Sequence, residues 1–209
     1  MWVIKIGGSL CHKISLARWL DQVACFGPGQ VVVVPGGGPF ADEVRAAQGA
    51  WGVPDATAHR MALLAMDQFG ELLLGLRPDL VAAANPLEVR WALANGRVPV
   101  WLAGRDATVD GLPATWEITS DSLAAFLAGQ LGAGDLLLVK SVALAESSAT
   151  AAELADRGWL DAGFPPFLAG AGFSAWLVER EDHEHLRDFL YAGVPLGACR
   201  ILPAGEGGT

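Results

Sequence analysis

Residues 2–9 read WVIKIGGS, and residues 31–39 read VVVVPGGGP. Each stretch is a short apolar run followed directly by glycines, and a helical pattern follows each one, at about residues 15–26 and 40–50. Apolar runs of this length bounded by glycine are typical of buried strands in a parallel sheet. Strand, glycine loop and helix therefore occur twice within the first fifty residues.

The same alternation continues along the chain. Further strands are predicted at residues 80–83, 98–102, 136–139, 175–178 and 199–202. Further helices are predicted at residues 55–76, 86–94, 120–131, 150–157 and 183–191. Because strands alternate with helices, we expect an α/β fold, a three-layer αβα sandwich with a mainly parallel central sheet. The turn-rich segment 104–117, with Asp110-Gly111 as a hairpin signal, is predicted to form a small flap.

Composition limits the classes of function. The 209 residues are 52% hydrophobic, enough for one sizeable core, yet no apolar run reaches the roughly 18 to 20 residues of a membrane helix. The net charge of −9 and the lack of a Lys/Arg stripe argue against nucleic acid as a partner. The start of the chain has no targeting pattern, and Cys11, Cys25 and Cys199 are widely spaced. We expect a cytoplasmic protein with reduced thiols, bound to neither membrane nor nucleic acid.

The two glycine loops are the candidate anion sites. Neither fits the Walker loop or the dinucleotide-binding pattern G-x-G-x-x-G. Both follow the carboxyl ends of predicted strands, where an open parallel sheet binds ligands, and glycine lets backbone N–H groups approach phosphate oxygens. Two such loops side by side predict a site for a donor and an acceptor phosphate.

Lys5 is the most informative lysine. It lies inside the first strand, where a buried ammonium is costly without an anionic partner. A lysine that extends from an edge strand to water is the alternative, but the strand has the pattern of a central one. Lys5 is therefore a candidate for stabilising the charge of a transferring phosphoryl group.

Three motifs occur in order: Lys5-Ile6-Gly7-Gly8-Ser9, Pro35-Gly36-Gly37-Gly38 and Thr119-Ser120-Asp121-Ser122-Leu123-Ala124. Together they resemble the amino acid kinase superfamily over nearly the whole chain. The resemblance implies that fold in one domain, residues 1–209, with an acceptor-side lobe (1–117) and a nucleotide-side lobe (118–209). It implies an ATP-dependent kinase, with Mg²⁺ carried on the nucleotide phosphates, and a homo-oligomer.

The resemblance also assigns roles to residues. It implies Lys5 as the electrostatic catalyst and Asp121 as the residue that orients it. The implied phosphate ligands are Gly7, Gly8 and Ser9 on the donor side and Gly36, Gly37 and Gly38 on the acceptor side. An acidic residue at a helix start such as Asp121 is also explained by the helix dipole alone.

Segments 59–70 and 116–122 are similar to the kinases of the methanofuran pathway, which phosphorylate an aminomethyl-furanylmethyl phosphate to its diphosphate. This similarity implies a phosphorylated acceptor in methanofuran-type one-carbon cofactor biosynthesis. Thr119 is predicted to bind the acceptor, Arg60 to clamp a phosphate, and Asp67 or Glu117 to pair with an ammonium. A solvated helix face is the alternative for Arg60 and Asp67.

The sequence also departs from the superfamily. Many members carry a second lysine near residues 161–166, and this chain has no lysine after Lys140. Lys140, at a strand end, is the candidate replacement, with Ser141 beside it in the nucleotide site; a solvated lysine is the alternative.

Two other functions stay open: a uridylate-like nucleoside monophosphate kinase and a catalytically silent nucleotide- or oxyanion-binding protein. His183 and His185, on a predicted surface helix, are not expected to bind a metal.

Overall fold

The computed structural model describes residues 1–193 and 197–203, which form a central sheet covered by helices on both faces. The strands are β1 (Trp2–Ile6), β2 (Val31–Pro35), β3 (Leu80–Ala83), β4 (Val98–Trp101), β5 (Asp135–Lys140), β6 (Ser148–Thr150), β7 (Ser174–Glu179) and β8 (Cys199–Leu202). The helices are α1 (Ile14–Phe26), α2 (Gly38–Trp51), α3 (Asp55–Leu76), α4 (Pro86–Ala94), α5 (Ser120–Leu131), α6 (Ala151–Asp156), α7 (Pro165–Leu168) and α8 (Leu186–Ala192).

The strand order is β3-β4-β2-β1-β5-β7-β8-β6, and every neighbouring pair is parallel except β7 with β8. β1 lies in the middle, with Lys5 in register with Val34 of β2 and Leu138 of β5. The chain passes from β1 to one side of the sheet first and later returns to the other side. Open parallel sheets bind ligands at the carboxyl ends of strands where the chain changes direction in this way.

The sheet divides the hydrophobic core into two layers. Alternate residues of the central strands face opposite sides: Val3 lies in one layer and Ile4 in the other. The first layer contains most of α5, and the second contains the buried faces of α1 and α8. The strands are apolar on both faces because both faces are covered.

The predicted fold class is confirmed, with a mainly parallel eight-stranded sheet between helical layers. The bounds predicted for α3, α4, α5, β3 and β8 agree with the structure. Two short elements, β6 and α7, were not predicted. Each has fewer than five residues, too few to show a periodic pattern.

Two local predictions are wrong. Segment 104–117 contains no hairpin in the structure; its first part forms two short 3₁₀ turns. The Asp106 carboxylate caps the second turn by accepting the N–H and the hydroxyl of Thr108 at 2.9 and 2.8 Å. The helix predicted at 183–191 is confirmed from Leu186 onward as α8, but its first residues form a 3₁₀ turn, and His183 is buried and not on the surface. Within the part of the chain that the structure describes, no helix has the length and apolarity needed to cross a bilayer.

Candidate active site

The two glycine loops touch each other at the carboxyl ends of β1 and β2. A Cβ atom at Gly8 would lie 2.1 Å from the backbone nitrogen of Gly38, and one at Gly36 would lie 2.5 Å from the nitrogen of Gly8. Gly38 has a φ of +54°, which side-chain-bearing residues rarely adopt. Glycine is therefore required at these positions because the two loops are in contact.

The backbone N–H groups of the loops divide into two sets. Gly7 donates to the carbonyl of Val139 at 3.2 Å, and Gly36 donates to the carbonyl of Ile6 at 2.9 Å. These two amides extend the sheet and are not available to a phosphate, which corrects the role predicted for Gly7 and Gly36.

The other loop amides remain available to a ligand. Within residues 1–193 and 197–203, no hydrogen bond to a protein acceptor is found for the N–H groups of Gly8, Ser9, Gly37 and Gly38. Gly37 and Gly38 stand at the start of α2, where unpaired N–H groups and the helix dipole favour an anion.

Three charged side chains meet beside the loops. The Lys5 ammonium lies 2.8 Å from Oδ1 of Asp121, and the Lys140 ammonium donates to Oδ2 of Asp121 at 2.5 Å. Lys5 is 4% exposed and Asp121 is 1% exposed. One buried carboxylate thus pairs with two ammonium groups, and Lys140 is not the solvated strand-end lysine of the alternative interpretation.

The surroundings shift the pKa values of this cluster. Burial alone would raise the pKa of Asp121, but Lys140 and Lys5 together lower it to about 2. Burial lowers the pKa of Lys5, Asp121 opposes that change, and Lys140 adds to it. Asp121 therefore stays ionised at neutral pH and is unsuited to act as a general base.

Two further predicted residues lie at the same edge of the sheet. The Oγ atoms of Ser9 and Ser141 are 3.0 Å apart, so the loops after β1 and β5 meet there. The N–H and hydroxyl groups of Thr119 donate to Asp161 at 2.9 and 2.5 Å. No role was predicted for Asp161, since no local motif connects it to residues 119 and 122.

A cleft of about 410 Å³ opens beside the loops. Its wall along α3 is formed by His59, Ala62, Leu63 and Met66, which share one helix face because they are three or four residues apart. The wall opposite includes Thr119, Ser120 and Trp116. The available amides of Gly8 and Gly38 border the same space, so an anion bound there lies inside the cleft.

Trp116, which lines the cleft, is held in place by its neighbours. Its indole N–H donates to Gln48 at 2.6 Å, and Gln48 in turn donates to Asp55 at 2.8 Å. The Arg45 guanidinium stacks over the indole ring at 4.3 Å. Gln48, Arg45 and Asp55 were not singled out in the sequence, because no local motif connects them to residue 116.

Arg60, Asp67 and Glu117 do not line this cleft. Arg60 borders a smaller cavity of about 260 Å³ on another side of α3. Asp67 is buried and accepts the N–H of Gly104 at 2.9 Å, so it holds the turn after β4. Glu117 is exposed. The acceptor-binding roles predicted for Arg60 and Asp67 do not fit these positions, and His59 occupies the place expected for Arg60.

The described residues contain no group of three or more His, Cys, Asp or Glu side chains positioned to hold a metal ion. Each carboxylate oxygen of Asp121 is already paired with an ammonium group. A cation at this site would therefore depend on ligands other than these side chains.

Comparisons with known proteins give the sequence and fold similarities of the chain. Residues 1–85 match the sequence profile of the amino acid kinase family. The [5-(aminomethyl)furan-3-yl]methyl phosphate kinase of Methanocaldococcus jannaschii is 29% identical over 148 residues, which cover 69% of this chain and 65% of that protein.

Among solved structures, the uridylate kinase of Archaeoglobus fulgidus has a TM-score of 0.73 at 17% identity and covers 96% of this chain and 99% of its own. The UMP kinase of Bacillus anthracis also has a TM-score of 0.73, at 13% identity, over 98% of this chain and 96% of its own. At such identities the likeness shows the fold, which is the amino acid kinase fold. The profile match over residues 1–85 and the relative at 29% identity add a sequence similarity to the amino acid kinase family.

Proposed function

We propose that the protein is an ATP-dependent kinase that transfers the γ-phosphoryl group to a phosphorylated small molecule. The acceptor is [5-(aminomethyl)furan-3-yl]methyl phosphate, a precursor of methanofuran-type cofactors. The observation that carries the proposal is the pairing of Lys5 and Lys140 on the buried Asp121, beside two touching loops with available amides. The relative that acts on this furan phosphate, and covers 69% of the chain, supports the choice of acceptor.

In this mechanism an oxygen of the acceptor phosphate attacks the γ-phosphorus of ATP. The bond from that phosphorus to the β-phosphate oxygen breaks, and the products are ADP and the acceptor diphosphate. Negative charge is spread over the transferring group, and Lys5 and Lys140 are placed to stabilise it. Asp121 holds both ammonium groups in position and keeps them from repelling each other.

A phosphorylated acceptor also fits the pairing of Asp121, whose two carboxylate oxygens are both occupied by ammonium groups. A phosphate monoester loses its second proton near pH 6, so it is already a nucleophile at neutral pH. An alcohol would need a general base, and Asp121 is unsuited to that role because its pKa is about 2. Mg²⁺ on the nucleotide phosphates would supply further charge neutralisation when ATP binds.

The division into an acceptor lobe and a nucleotide lobe is part of this proposal. The cleft is lined mainly by α2, α3 and the loops before them, which lie within residues 1–117. We assign this lobe to the acceptor, with its phosphate on Gly37 and Gly38 and its ring toward Trp116. Residues 118–209, which contribute Lys140 and Ser141, are assigned to the nucleotide.

The acceptor assignment is tested by incubating the purified protein with ATP, Mg²⁺ and single phosphorylated acceptors. The panel contains the furan phosphate, UMP, and the unphosphorylated furan alcohol as a matched control. Formation of the furan diphosphate, with little UDP and no product from the alcohol, is expected. UDP without furan diphosphate would establish the uridylate-like alternative. Tight ATP binding without transfer to any acceptor would establish a silent binding protein.

Lys140→Met is expected to lower kcat on the order of 10- to 100-fold, because one of the two ammonium groups on Asp121 is lost. The melting temperature should change little, since the Lys140 side chain is partly exposed. Lys13→Met, at an exposed site, is the matched control and should leave kcat unchanged. An unchanged kcat in Lys140→Met would remove Lys140 from the mechanism.

A further inference from the structure

The start of α5 is held by a carboxylate from a distant part of the chain. Asp161 accepts the N–H of Thr119 at 2.9 Å and its hydroxyl at 2.5 Å, and it accepts the N–H and the hydroxyl of Ser122, both at 3.0 Å. The first N–H groups of a helix have no acceptor within the helix. Thr119, at the capping position, accepts none of them with its own side chain. Asp161 therefore caps α5, although it lies outside the helix.

Asp121 lies between the two residues that Asp161 holds. Its backbone is therefore fixed on both sides, while its carboxylate pairs with Lys5 and Lys140. A rotation of the first turn of α5 would move Asp121 and, with it, both ammonium groups. Displacements of about 1 Å at a reacting centre can cost on the order of 100-fold in rate.

We propose that Asp161 is a positioning residue for phosphoryl transfer: by holding the first turn of α5 it fixes Asp121 and, through Asp121, the ammonium groups of Lys5 and Lys140. This inference rests on the kinase function proposed above. The cluster then contains two ammonium groups, from Lys5 and Lys140, and two carboxyl groups, from Asp121 and Asp161.

The charges around the cluster agree with this role. The charged groups that act on Lys5 are Asp121, Lys140 and Asp161, and both carboxylates favour its protonated form against the effect of burial. Burial raises the pKa of Asp161, and the charge of Asp121 raises it further, while the hydrogen bonds from Thr119 and Ser122 oppose that shift. Burying the Asp161 carboxylate costs free energy, and four donors are needed to offset that cost. A helix cap at the protein surface does not require a buried carboxylate.

Asp161→Asn is the first test. It is expected to lower kcat about 10-fold or more, with a smaller change in KM for ATP. Removing a negative charge lowers the pKa of Lys5, and Lys5 loses its charge as the pH rises through that pKa. The alkaline fall of kcat should therefore move to lower pH. Asp156→Asn, an exposed site on the neighbouring α6, is the matched control and should change neither kcat nor the pH profile.

A second measurement does not depend on activity. The chain has three lysines, Lys5, Lys13 and Lys140, so the signals of ¹³Cε-labelled lysine can be assigned by single replacements and followed against pH by NMR. In Asp161→Asn the Lys5 signal should titrate at lower pH than in the unchanged protein, while exposed Lys13 should not move. If Asp161→Asn changes the melting temperature but neither kcat nor the pH at which Lys5 titrates, Asp161 is only a structural helix cap. That result would overturn the proposal.

Ser122→Ala separates the hydrogen bonds from the charge. It removes one hydrogen bond to Asp161 and keeps all four ionisable groups, so it is expected to lower kcat several-fold without moving the Lys5 titration. This variant also decides the matter if Asp161→Asn does not fold, since an unchanged kcat in Ser122→Ala would overturn the positioning role. If the unchanged protein transfers phosphate to no acceptor, the proposed function fails, and the Lys5 titration still tests the charge coupling by itself.

Discussion

Lys5→Met is expected to lower kcat on the order of 100-fold or more, the cost of deleting an electrostatic donor at a site of charge development. Methionine has a similar length and no charge, so the variant removes the ammonium and keeps most of the volume. Lys140 continues to pair with Asp121, which limits the effect on folding. The measurement is kcat with saturating ATP and furan phosphate, together with the melting temperature.

Lys13→Met is again the matched control, because Lys13 is exposed and is not one of the lysines paired with Asp121. A rate near that of the unchanged protein in Lys5→Met would refute the role of Lys5. A folded Lys5→Met variant that binds ATP and transfers phosphate slowly would support it.

Gly8→Ala is expected to have the second large effect. The new Cβ would lie 2.1 Å from the backbone nitrogen of Gly38, so the two glycine loops must move apart. The overpacking should cost about 1–3 kcal/mol in the free energy of unfolding. Because the displaced amides are those assigned to the phosphates, kcat/KM should fall on the order of 100-fold. Urea unfolding and steady-state kinetics measure the two effects.

Gly49→Ala provides the control for Gly8→Ala. Gly49 lies inside α2, and a Cβ there would have no atom within 4 Å apart from its own helix and chain neighbours. Alanine in a helix interior is favoured over glycine by roughly 0.5–1 kcal/mol, so stability should rise slightly and activity should not change. Equal losses of activity in both variants would contradict the contact-based explanation.

The fold was largely predictable from the sequence because strands and helices alternate regularly. A lysine inside a continuously apolar strand needs a buried anion. The identity of that anion, Asp121, came from the family resemblance, and the pairing of Lys140 with the same carboxylate was not predicted. The glycine loops were also predictable, since both follow strand ends. Their division into sheet-extending and available amides was not, because it depends on which carbonyls of β1 and β5 face them.

The acceptor side was predicted less well because α3 carries charged and polar side chains on more than one face. Arg60 and Asp67 are seven residues apart and share a face that meets the turn after β4, whereas His59 and Met66 share the face that lines the cleft. The helical period groups such residues correctly but does not say which neighbour each group meets. Asp161 was missed for a related reason, since its partners lie about 40 residues earlier in the chain.

The most direct test of the central claim is a crystal structure with a nonhydrolysable ATP analogue and a phosphorylated acceptor. We expect the terminal phosphates of the analogue to contact the amides of Gly8 and Ser9 and the ammonium groups of Lys5 and Lys140. The acceptor phosphate should lie on Gly37 and Gly38. Phosphates bound elsewhere, with both glycine loops free of ligand and Lys5 paired with Asp121 alone, would contradict the account.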